Sequence, residues 1–187
     1  MTISGSESAL LLQAATFAAD KHRHQRRKDA AASPYINHPL AVAWTLSSVG
    51  GVTHPELLAA ALLHDTVEDT DTSLAELEQI FGPTVSALVA EVTDDKSLPK
   101  QRRKALQIEH AALASDAAKQ LKIADKIANL RDILADPPAD WPLTRKLEYL
   151  DWAEQVVRNC RGVNAALDAC WDATFSEARG TLEAEAR

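Results

Sequence analysis

The chain has 187 residues, of which 46% are hydrophobic and 25% charged, and its formal net charge is −7. This composition is ordinary for a globular protein with a buried core and argues against a disordered chain. The acidic balance disfavours general binding to nucleic acid, which needs a basic face. We expect a single domain over residues 1–187, with its core at about 8–160 and a C-terminal helix at about 163–182.

The cysteines and the N-terminal segment favour a cytoplasmic protein. Cys160 and Cys170 form no C-x-x-C motif, and two cysteines in a chain of this size suggest a reducing compartment. The first apolar stretch is interrupted by Gln13 and Thr16 and lacks a basic lead-in, unlike a signal peptide. No segment approaches the ~20 apolar residues of a membrane span.

The spacing of apolar residues predicts helices throughout, about eight to ten of them, and therefore an all-α bundle. In chain order the predicted helices cover about residues 8–24, 37–50, 56–67, 74–81, 83–92, 99–113, 116–134, 141–160 and 163–182. Ser73 and Ser115 are predicted N-caps, and either Thr53 or His54 caps the third helix. Strand-like alternation does not persist anywhere in the sequence.

The sharpest local signal is the run Leu-Leu-His-Asp-Thr-Val-Glu-Asp-Thr at residues 62–70. At ~100° per residue, His64 and Glu68 share one helix face, as do Asp65 and Asp69. His64 and Asp65 offer ligand atoms for a divalent metal, and Glu68 and Asp69 lie where acid-base groups reach a water. The alternative is a polar helix C-terminus, but acids suit that end of the helix dipole poorly.

A divalent centre needs more than two protein ligands, and two distant residues are candidates. Asp125 lies among apolar residues of a predicted helix, with Asn129 one turn further on. Its alternative role is an ion pair with Lys122 or Lys126. His38, beside a proline at a helix start, is either a ligand or a cap or core residue.

Two further features have open interpretations. The basic clusters at 22–28 and 100–104 either bind an anionic ligand or form solvated helix faces. The last two predicted helices carry large aromatic residues, which either pack in the core or form a homodimer face. These aromatic residues are Trp141, Trp152, Trp171 and Phe175.

Several segments together resemble the hydrolase domain of the Rel/Spo type in the HD superfamily. They are residues 22–28 (His-x-x-Gln-x-Arg-Lys), 34–39 (Pro-Tyr-Ile-Asn-His-Pro), 60–70, 92–96 (Val-Thr-Asp-Asp-Lys) and 122–130 (Lys-Ile-Ala-Asp-Lys-x-x-Asn-Leu). The tail segments 148–157 and 161–164 resemble the stand-alone branch, the metazoan SpoT homologue type of small alarmone hydrolase. The resemblance covers about residues 8–182, although residues 30–33 lack the loop glycine common in this family.

The resemblance implies a helical HD domain that removes the 3′-pyrophosphate of guanosine 3′,5′-bis(diphosphate), or of a related alarmone such as ppApp, with manganese as the metal. The implied metal ligands are His38, His64, Asp65 and Asp125, and the implied acid-base residues are Glu68 and Asp69. The implied nucleotide contacts are Arg27, Lys28 and Asn129, followed by Lys100, Arg145 and Tyr149. A divalent ion and guanidinium groups would stabilise the charge that develops on a departing pyrophosphate.

Two alternative functions remain open. Relatives of this small type also remove the 2′-phosphate of NADPH, so the same site would serve as an NADPH phosphatase. The other alternative is a non-catalytic nucleotide-binding module, against which the complete set of predicted ligands and acid-base residues argues.

Overall fold

The computed structural model describes residues 5–186, and these residues form ten helices. The helices are α1 (Gly5–Lys21), α2 (Asn37–Ser48), α3 (Pro55–Leu63), α4 (Thr66–Asp69), α5 (Leu74–Phe81), α6 (Pro83–Val92), α7 (Lys100–Leu113), α8 (Asp116–Ala135), α9 (Leu143–Arg158) and α10 (Ala165–Glu185). No strand occurs within 5–186, where one isolated bridge pairs Arg26 with Pro34. The predicted all-α class is confirmed, while residues 1–4 and 187 of the predicted domain lie outside the described residues.

Two central helices organise the core. Every residue of α3 from Leu57 to Leu63 is buried, as expected for a helix that is apolar on all sides. Helix α3 packs against α1, α2, α6 and α8, and α8 in turn packs against α2, α9 and α10. Of the predicted metal ligands, Asp125 lies on α8, His38 lies on α2, and His64 and Asp65 directly follow α3. In the described part of the chain, no helix has an apolar stretch suited to crossing a lipid bilayer.

Most predicted helix limits agree with the structure to within three residues. The Ser73 hydroxyl accepts a hydrogen bond from the Glu76 amide at 3.1 Å, and the Ser115 hydroxyl accepts one from the Ala118 amide at 3.2 Å, so both caps are confirmed. His54 precedes α3, but its side chain makes no capping hydrogen bond. Helix α10 continues to Glu185, beyond the predicted end, because Leu182 is buried against the bundle.

The prediction of one continuous helix through Val67 is wrong, because α3 ends at Leu63 and α4 begins at Thr66. The His64 imidazole Nδ1 lies 2.8 Å from the Ala61 carbonyl, and the Thr66 hydroxyl donates to the Leu63 carbonyl at 2.7 Å. These side chains bind carbonyls at the end of α3, and such local bonds compete with the helical pattern. The resulting turn places His64 and Asp65 between two helices.

The loop that carries Arg27 contains a strained residue. Ala32 has a φ of 49°, and it is the only non-glycine residue with positive φ among residues 5–186. The loop is nevertheless ordered by hydrogen bonds, since the Arg27 amide donates to the Ser33 carbonyl at 2.8 Å and the Ser33 amide donates to Asp29 Oδ1 at 3.0 Å. A left-handed alanine costs roughly 1–2 kcal/mol, which a glycine would avoid.

We therefore expect Ala32→Gly to raise the free energy of unfolding by about 0.5–1 kcal/mol. The strain energy that glycine removes from the folded state exceeds the free energy lost because glycine gives the unfolded chain more conformational entropy. Urea denaturation measures the change, with Ala31→Gly as the matched control. Ala31 has no positive φ, so its replacement should destabilise the protein. An Ala32→Gly variant less stable than wild type would contradict the strain argument.

Candidate metal centre and active site

The four predicted metal ligands meet at the junction of α2, α8 and the turn between α3 and α4. The ligand atoms of His38, His64 and Asp65 all lie within 4.8 Å of one another. His38 Nε2 lies 3.0 Å from Asp125 Oδ1, and His64 Nε2 lies 3.2 Å from Asp65 Oδ2 and 3.9 Å from Asp125 Oδ1. Both histidines are buried, so the cluster lies beneath the surface.

The hydrogen bonds of His64 show that this cluster fits a divalent cation. The Ala61 carbonyl only accepts, so His64 Nδ1 carries the proton and Nε2 presents a lone pair. That buried Nε2 has no hydrogen-bond partner among residues 5–186, yet it faces Asp65 Oδ2. Acceptors directed at each other repel unless a cation lies between them, and imidazole nitrogens with carboxylate oxygens are suitable donors for a divalent ion.

Neighbouring side chains orient the two carboxylates of the cluster. The Tyr35 hydroxyl donates to Asp65 Oδ2 at 2.7 Å. The Asn129 amide donates to Asp125 Oδ1 and the Lys126 ammonium donates to Asp125 Oδ2, each at 2.7 Å. Burial alone would raise the pKa of Asp125, but Lys126 and His38 hold this pKa well below its ordinary value. The carboxylate is therefore ionised, as a metal ligand must be.

Glu68 lies on α4 beside the cluster and has a strongly shifted pKa. Burial, followed by the charges of Asp94, Asp65 and Asp69, raises the pKa of Glu68 from 4.5 to about 7. Its Oε2 accepts a hydrogen bond from the Asp94 amide at 3.3 Å, and its Oε1 accepts one from Arg103 at 3.4 Å. A carboxyl with a pKa near neutrality exchanges protons readily at physiological pH, as a general acid or base requires.

Asp69, the next residue, has the opposite electrostatic environment. Burial raises the pKa of Asp69, but hydrogen bonds from Lys96 and Gln25 outweigh this effect and lower it below its ordinary value. The Gln25 amide donates to Asp69 Oδ2 at 2.8 Å, while Lys96 binds Oδ1. Two adjacent carboxyls with divergent pKa values are characteristic of a site in which each has a separate acid-base role.

The raised pKa of Glu68 predicts how stability depends on pH in the metal-free protein. The folded chain retains a proton that the unfolded chain has released between pH 4.5 and about 7, so stability falls as pH rises through this range. The pKa change corresponds to about 3 kcal/mol at full burial. Solvent screening of a side chain that is 21% exposed reduces this to on the order of 2 kcal/mol.

We expect metal-free Glu68→Gln to be more stable than wild type by this amount at pH 8, with a small difference at pH 5. Urea denaturation in the presence of a chelator at both pH values measures the effect. Glu78→Gln, at an exposed position, is the control and should show no such change between the two pH values. Equal stability of Glu68→Gln and wild type at pH 8 would contradict the assigned pKa.

A cavity of about 490 Å³ adjoins the cluster and is lined by His38 and Asp69. Three of the predicted nucleotide contacts, Arg27, Lys28 and Asn129, also line it. Arg27 is held in place because its guanidinium binds Asp132 and donates to Asn129 Oδ1 at 3.3 Å. The aromatic rings of this wall come from Tyr35, Trp141 and Tyr149. The cavity therefore offers both ring surfaces and directed polar groups to a ligand.

A second, cationic cavity of about 420 Å³ lies on the Glu68 side, where five cationic side chains outnumber the carboxyl groups of Glu68, Asp94 and Glu148. It includes the remaining predicted contacts, Lys100 and Arg145, and it shares Lys28, Trp141 and Tyr149 with the first cavity. The cationic residues of its wall are Lys28, Lys100, Arg103, Lys104 and Arg145. This concentration of positive charge in an acidic chain suits an anionic ligand. The shared residues show that the two cavities adjoin.

Several residues that contact the candidate site have no individual role predicted from the sequence. These are Gln25, Tyr35, Asp94, Lys96 and Arg103. All but Arg103 lie in segments that carry the family resemblance, and that resemblance was the one indication in the sequence that these residues belong to the site. The two roles considered for Asp125 are compatible in the structure, since it contacts both His38 and Lys126.

The aromatic residues of the C-terminal region separate into two groups. Trp171 is fully buried, stacks against Phe175, and donates through Nε1 to Glu154 Oε2 at 2.8 Å. Core packing is therefore confirmed for Trp171. Trp141 and Trp152 are partly buried against the core and also line the cationic cavity. A homodimer stays a prediction.

The family comparison agrees with this helical fold and its His/Asp cluster. Residues 14–150 match the family described as the HD domain, which is most of the chain. The chain therefore belongs to the HD-domain family. The matched region includes every predicted metal ligand and acid-base residue.

Comparison with individual proteins identifies particular relatives to which the chain is similar. The chain is 53% identical to guanosine-3′,5′-bis(diphosphate) 3′-pyrophosphohydrolase MESH1 of Xenopus tropicalis over 172 residues, covering 92% of this chain and 96% of that protein. It is also 53% identical to the Homo sapiens protein of the same name over 173 residues, with 92% and 97% coverage. A solved structure described as a metazoan ortholog of SpoT that hydrolyzes ppGpp, with a role in starvation responses, superposes with a TM-score of 0.88 at 50% identity, covering 90% of this chain and 95% of that chain.

Proposed function

We propose that this protein is a metal-dependent hydrolase that removes the 3′-pyrophosphate of guanosine 3′,5′-bis(diphosphate) or of a related alarmone such as ppApp. The observation that carries the proposal is the buried His/Asp cluster, with an unpaired imidazole nitrogen, beside Glu68 with its pKa near 7. The relatives named as 3′-pyrophosphohydrolases support the same reaction, since they match nearly the whole chain.

The metal would be held by His38, His64, Asp65 and Asp125. When bound, a divalent cation supplies Lewis-acid polarisation of a phosphoryl oxygen and lowers the pKa of a coordinated water. Manganese is the proposed ion because the resemblance to the Rel/Spo hydrolase domain implies it, and the imidazole and carboxylate donors are compatible with it. Tyr35 and Asn129 keep the carboxylate oxygens of Asp65 and Asp125 directed into the cluster.

The acid-base residues carry the proton transfers of the proposed reaction. A water oxygen forms a bond to the phosphorus next to the ribose 3′-oxygen, and the bond from that phosphorus to the 3′-oxygen breaks. Glu68, partly ionised at neutral pH, accepts the proton of the water. Asp69, held ionised by Gln25 and Lys96, accepts a hydrogen bond from this water and helps to activate it. Glu68 then donates this proton to the departing 3′-oxygen, and the products from ppGpp are GDP and pyrophosphate.

The two cavities divide the substrate between them in this proposal. The nucleoside lies in the first cavity, where Arg27 and Asn129 supply polar contacts and Tyr149 an aromatic surface. A diphosphate group lies in the cationic cavity with Lys28, Lys100 and Arg145. Guanidinium and ammonium groups bind phosphate oxygens strongly, so this arrangement places the negative diphosphate beside positively charged side chains.

The test is product analysis with manganese, offering ppGpp, ppApp and NADPH in parallel, with Asp65→Ala as the blank. Pyrophosphate release from ppGpp or ppApp supports the proposal and shows the base preference. Phosphate release from NADPH alone would replace it with a phosphatase that acts on the same site. Metal binding without turnover of any compound would favour a non-catalytic nucleotide-binding module.

The proposed location is the cytoplasm, where a nucleotide substrate would be available. The two cysteines support a reducing compartment, because Cys160 and Cys170 are both free thiols. Cys160 is buried, so it has no access to a disulfide partner on another chain.

A further inference from the structure

A buried histidine outside the candidate metal centre is connected to Asp69 through one amide. His22 follows α1, is 2% exposed, and packs its ring against Tyr35 with a centroid separation of 4.8 Å. Its Nδ1 lies 2.6 Å from Gln25 Oε1, and Gln25 Nε2 lies 2.8 Å from Asp69 Oδ2. The three side chains therefore form a continuous hydrogen-bonded series that ends on a proposed acid-base residue.

The direction of each hydrogen bond in this series follows from Asp69. An ionised carboxylate only accepts, so the NH₂ group of Gln25 must face it. The amide oxygen of Gln25 then faces His22, and His22 Nδ1 must carry the proton and donate. Reversing the amide would place two acceptors against each other at Asp69, which costs free energy in a partly buried site. Asp69 thus determines both the amide orientation and the histidine tautomer.

The ring of His22 packs against Tyr35, the donor to Asp65, and the hydrogen bond from its side chain goes to Gln25. His22 Nε2 is buried and has no hydrogen-bond partner within residues 5–186, and the ring lines neither of the two cavities. The backbone of Gln25 makes two hydrogen bonds: its N–H donates to the His22 carbonyl at 2.9 Å, and its carbonyl accepts from the Tyr35 backbone N–H at 3.2 Å. The side-chain amide of Gln25 therefore extends from a loop whose backbone is held in place.

Asp69 needs such support because of its place in the fold. It is the last residue of α4, which is a single helical turn. Lys96 also donates to Asp69, from the loop before α7, and its side chain is 48% exposed. The Tyr35 hydroxyl is a further hydrogen-bonding partner that lowers the pKa of Asp69. A half-exposed ammonium on a long side chain restrains its partner less than a partly buried amide held by its backbone does. Gln25 is therefore the restraint on Asp69 that the loop after α1 supplies.

We propose that His22 and Gln25 are positioning residues that fix the carboxylate of Asp69 for catalysis. The proposal rests on the proposed function, in which Asp69 is an acid-base residue. It gives the His-x-x-Gln spacing at residues 22–25 a specific purpose: the histidine binds the side-chain amide of Gln25, and that amide holds the carboxylate of Asp69 in place.

The kinetic test uses Gln25→Met and His22→Phe, which keep side-chain bulk and remove the hydrogen bonds. We expect kcat for ppGpp to fall about 10-fold or more in each variant, with KM within about 3-fold, because one lost restraint misaligns the acid-base group. Gln120→Met is the matched control, a half-buried glutamine whose amide accepts from Asn164 at 2.9 Å, and it should keep wild-type kcat. A rise in KM at constant kcat would overturn the proposal, since it would make Gln25 a substrate contact.

A second arm separates positioning from a general structural effect. In an Asp69→Asn background, Gln25→Met and His22→Phe should lower kcat no further, because both act through Asp69. An undiminished additional loss in that background would overturn the proposal. Thermal midpoints of all variants identify any that fail to fold.

A third arm needs no activity. Long-range ¹H–¹⁵N spectra of the metal-free wild-type protein should show His22 as the neutral Nδ1–H tautomer, and Gln25→Met should lose this preference. An Nε2–H tautomer in the wild type would overturn the proposal. Absence of turnover by the wild type itself would refute the proposed function instead, so the two failures are distinguishable.

Discussion

Replacing Asp65 with alanine is expected to abolish turnover and most metal binding. Asp65 Oδ2 lies 3.2 Å from His64 Nε2 and 3.8 Å from His38 Nε2, at the centre of the cluster. A divalent ion contributes several kcal/mol of transition-state stabilisation, and losing about 4 kcal/mol corresponds to roughly a 10³-fold lower rate. Calorimetric titration with manganese and a pyrophosphate-release assay measure the two effects.

The control for this substitution is Asp71→Ala. Asp71 is close in sequence, but its side chain is 89% exposed and, among residues 5–186, forms an ion pair only with the Lys21 ammonium. It should bind manganese and turn over substrate as the wild type does. An Asp65→Ala protein that retains near-normal turnover without bound metal would contradict the assigned centre.

Replacing Glu68 with glutamine is expected to lower kcat by about 10²–10⁴-fold while metal affinity and fold are preserved. Glutamine keeps the size of the side chain, and its single oxygen can still accept from either the Asp94 amide or Arg103, which in Glu68 bind different oxygens. It cannot accept a proton, so the loss reports the acid-base role. Steady-state kinetics, with manganese affinity measured on the same preparation, test this expectation.

Glu78→Gln, on the exposed face of α5, serves as the matched control and should leave kcat unchanged. A near-normal rate for Glu68→Gln would move the acid-base role to another group. A parallel loss of metal affinity would instead mean that Glu68 belongs to the ligand set. The same variant should be the more stable protein at pH 8 without metal, so catalysis and stability would change in opposite directions.

The helical architecture was accessible from the sequence because burial and capping are local signals. The apolar run in α3 requires burial on all sides. Ser73 and Ser115 mark the N-termini of the helices that they cap. The break after Leu63 was not predicted, since it depends on His64 and Thr66 bonding to nearby carbonyls rather than on apolar spacing. Helical periodicity carries no information about such side-chain competition.

The predicted metal ligands could be named from the sequence, but the hydrogen bonds that link them to the rest of the candidate site could not. Family resemblance indicated His38, His64, Asp65 and Asp125, and the structure brings these four side chains together. The contact between Gln25 and Asp69 spans 44 positions and depends on the path of the loop after α1, so no local pattern reveals it. The opposite pKa shifts of Glu68 and Asp69 likewise depend on partners from distant segments.

The most direct test of the proposed function is identification of the products of ppGpp treated with manganese-loaded protein, by ³¹P NMR. The proposed reaction predicts GDP and pyrophosphate in equal amounts, formed by the wild type and not by Asp65→Ala or by the wild type with excess chelator. Release of single phosphates, or equal product formation by Asp65→Ala, would contradict a 3′-pyrophosphohydrolase built on this His/Asp cluster.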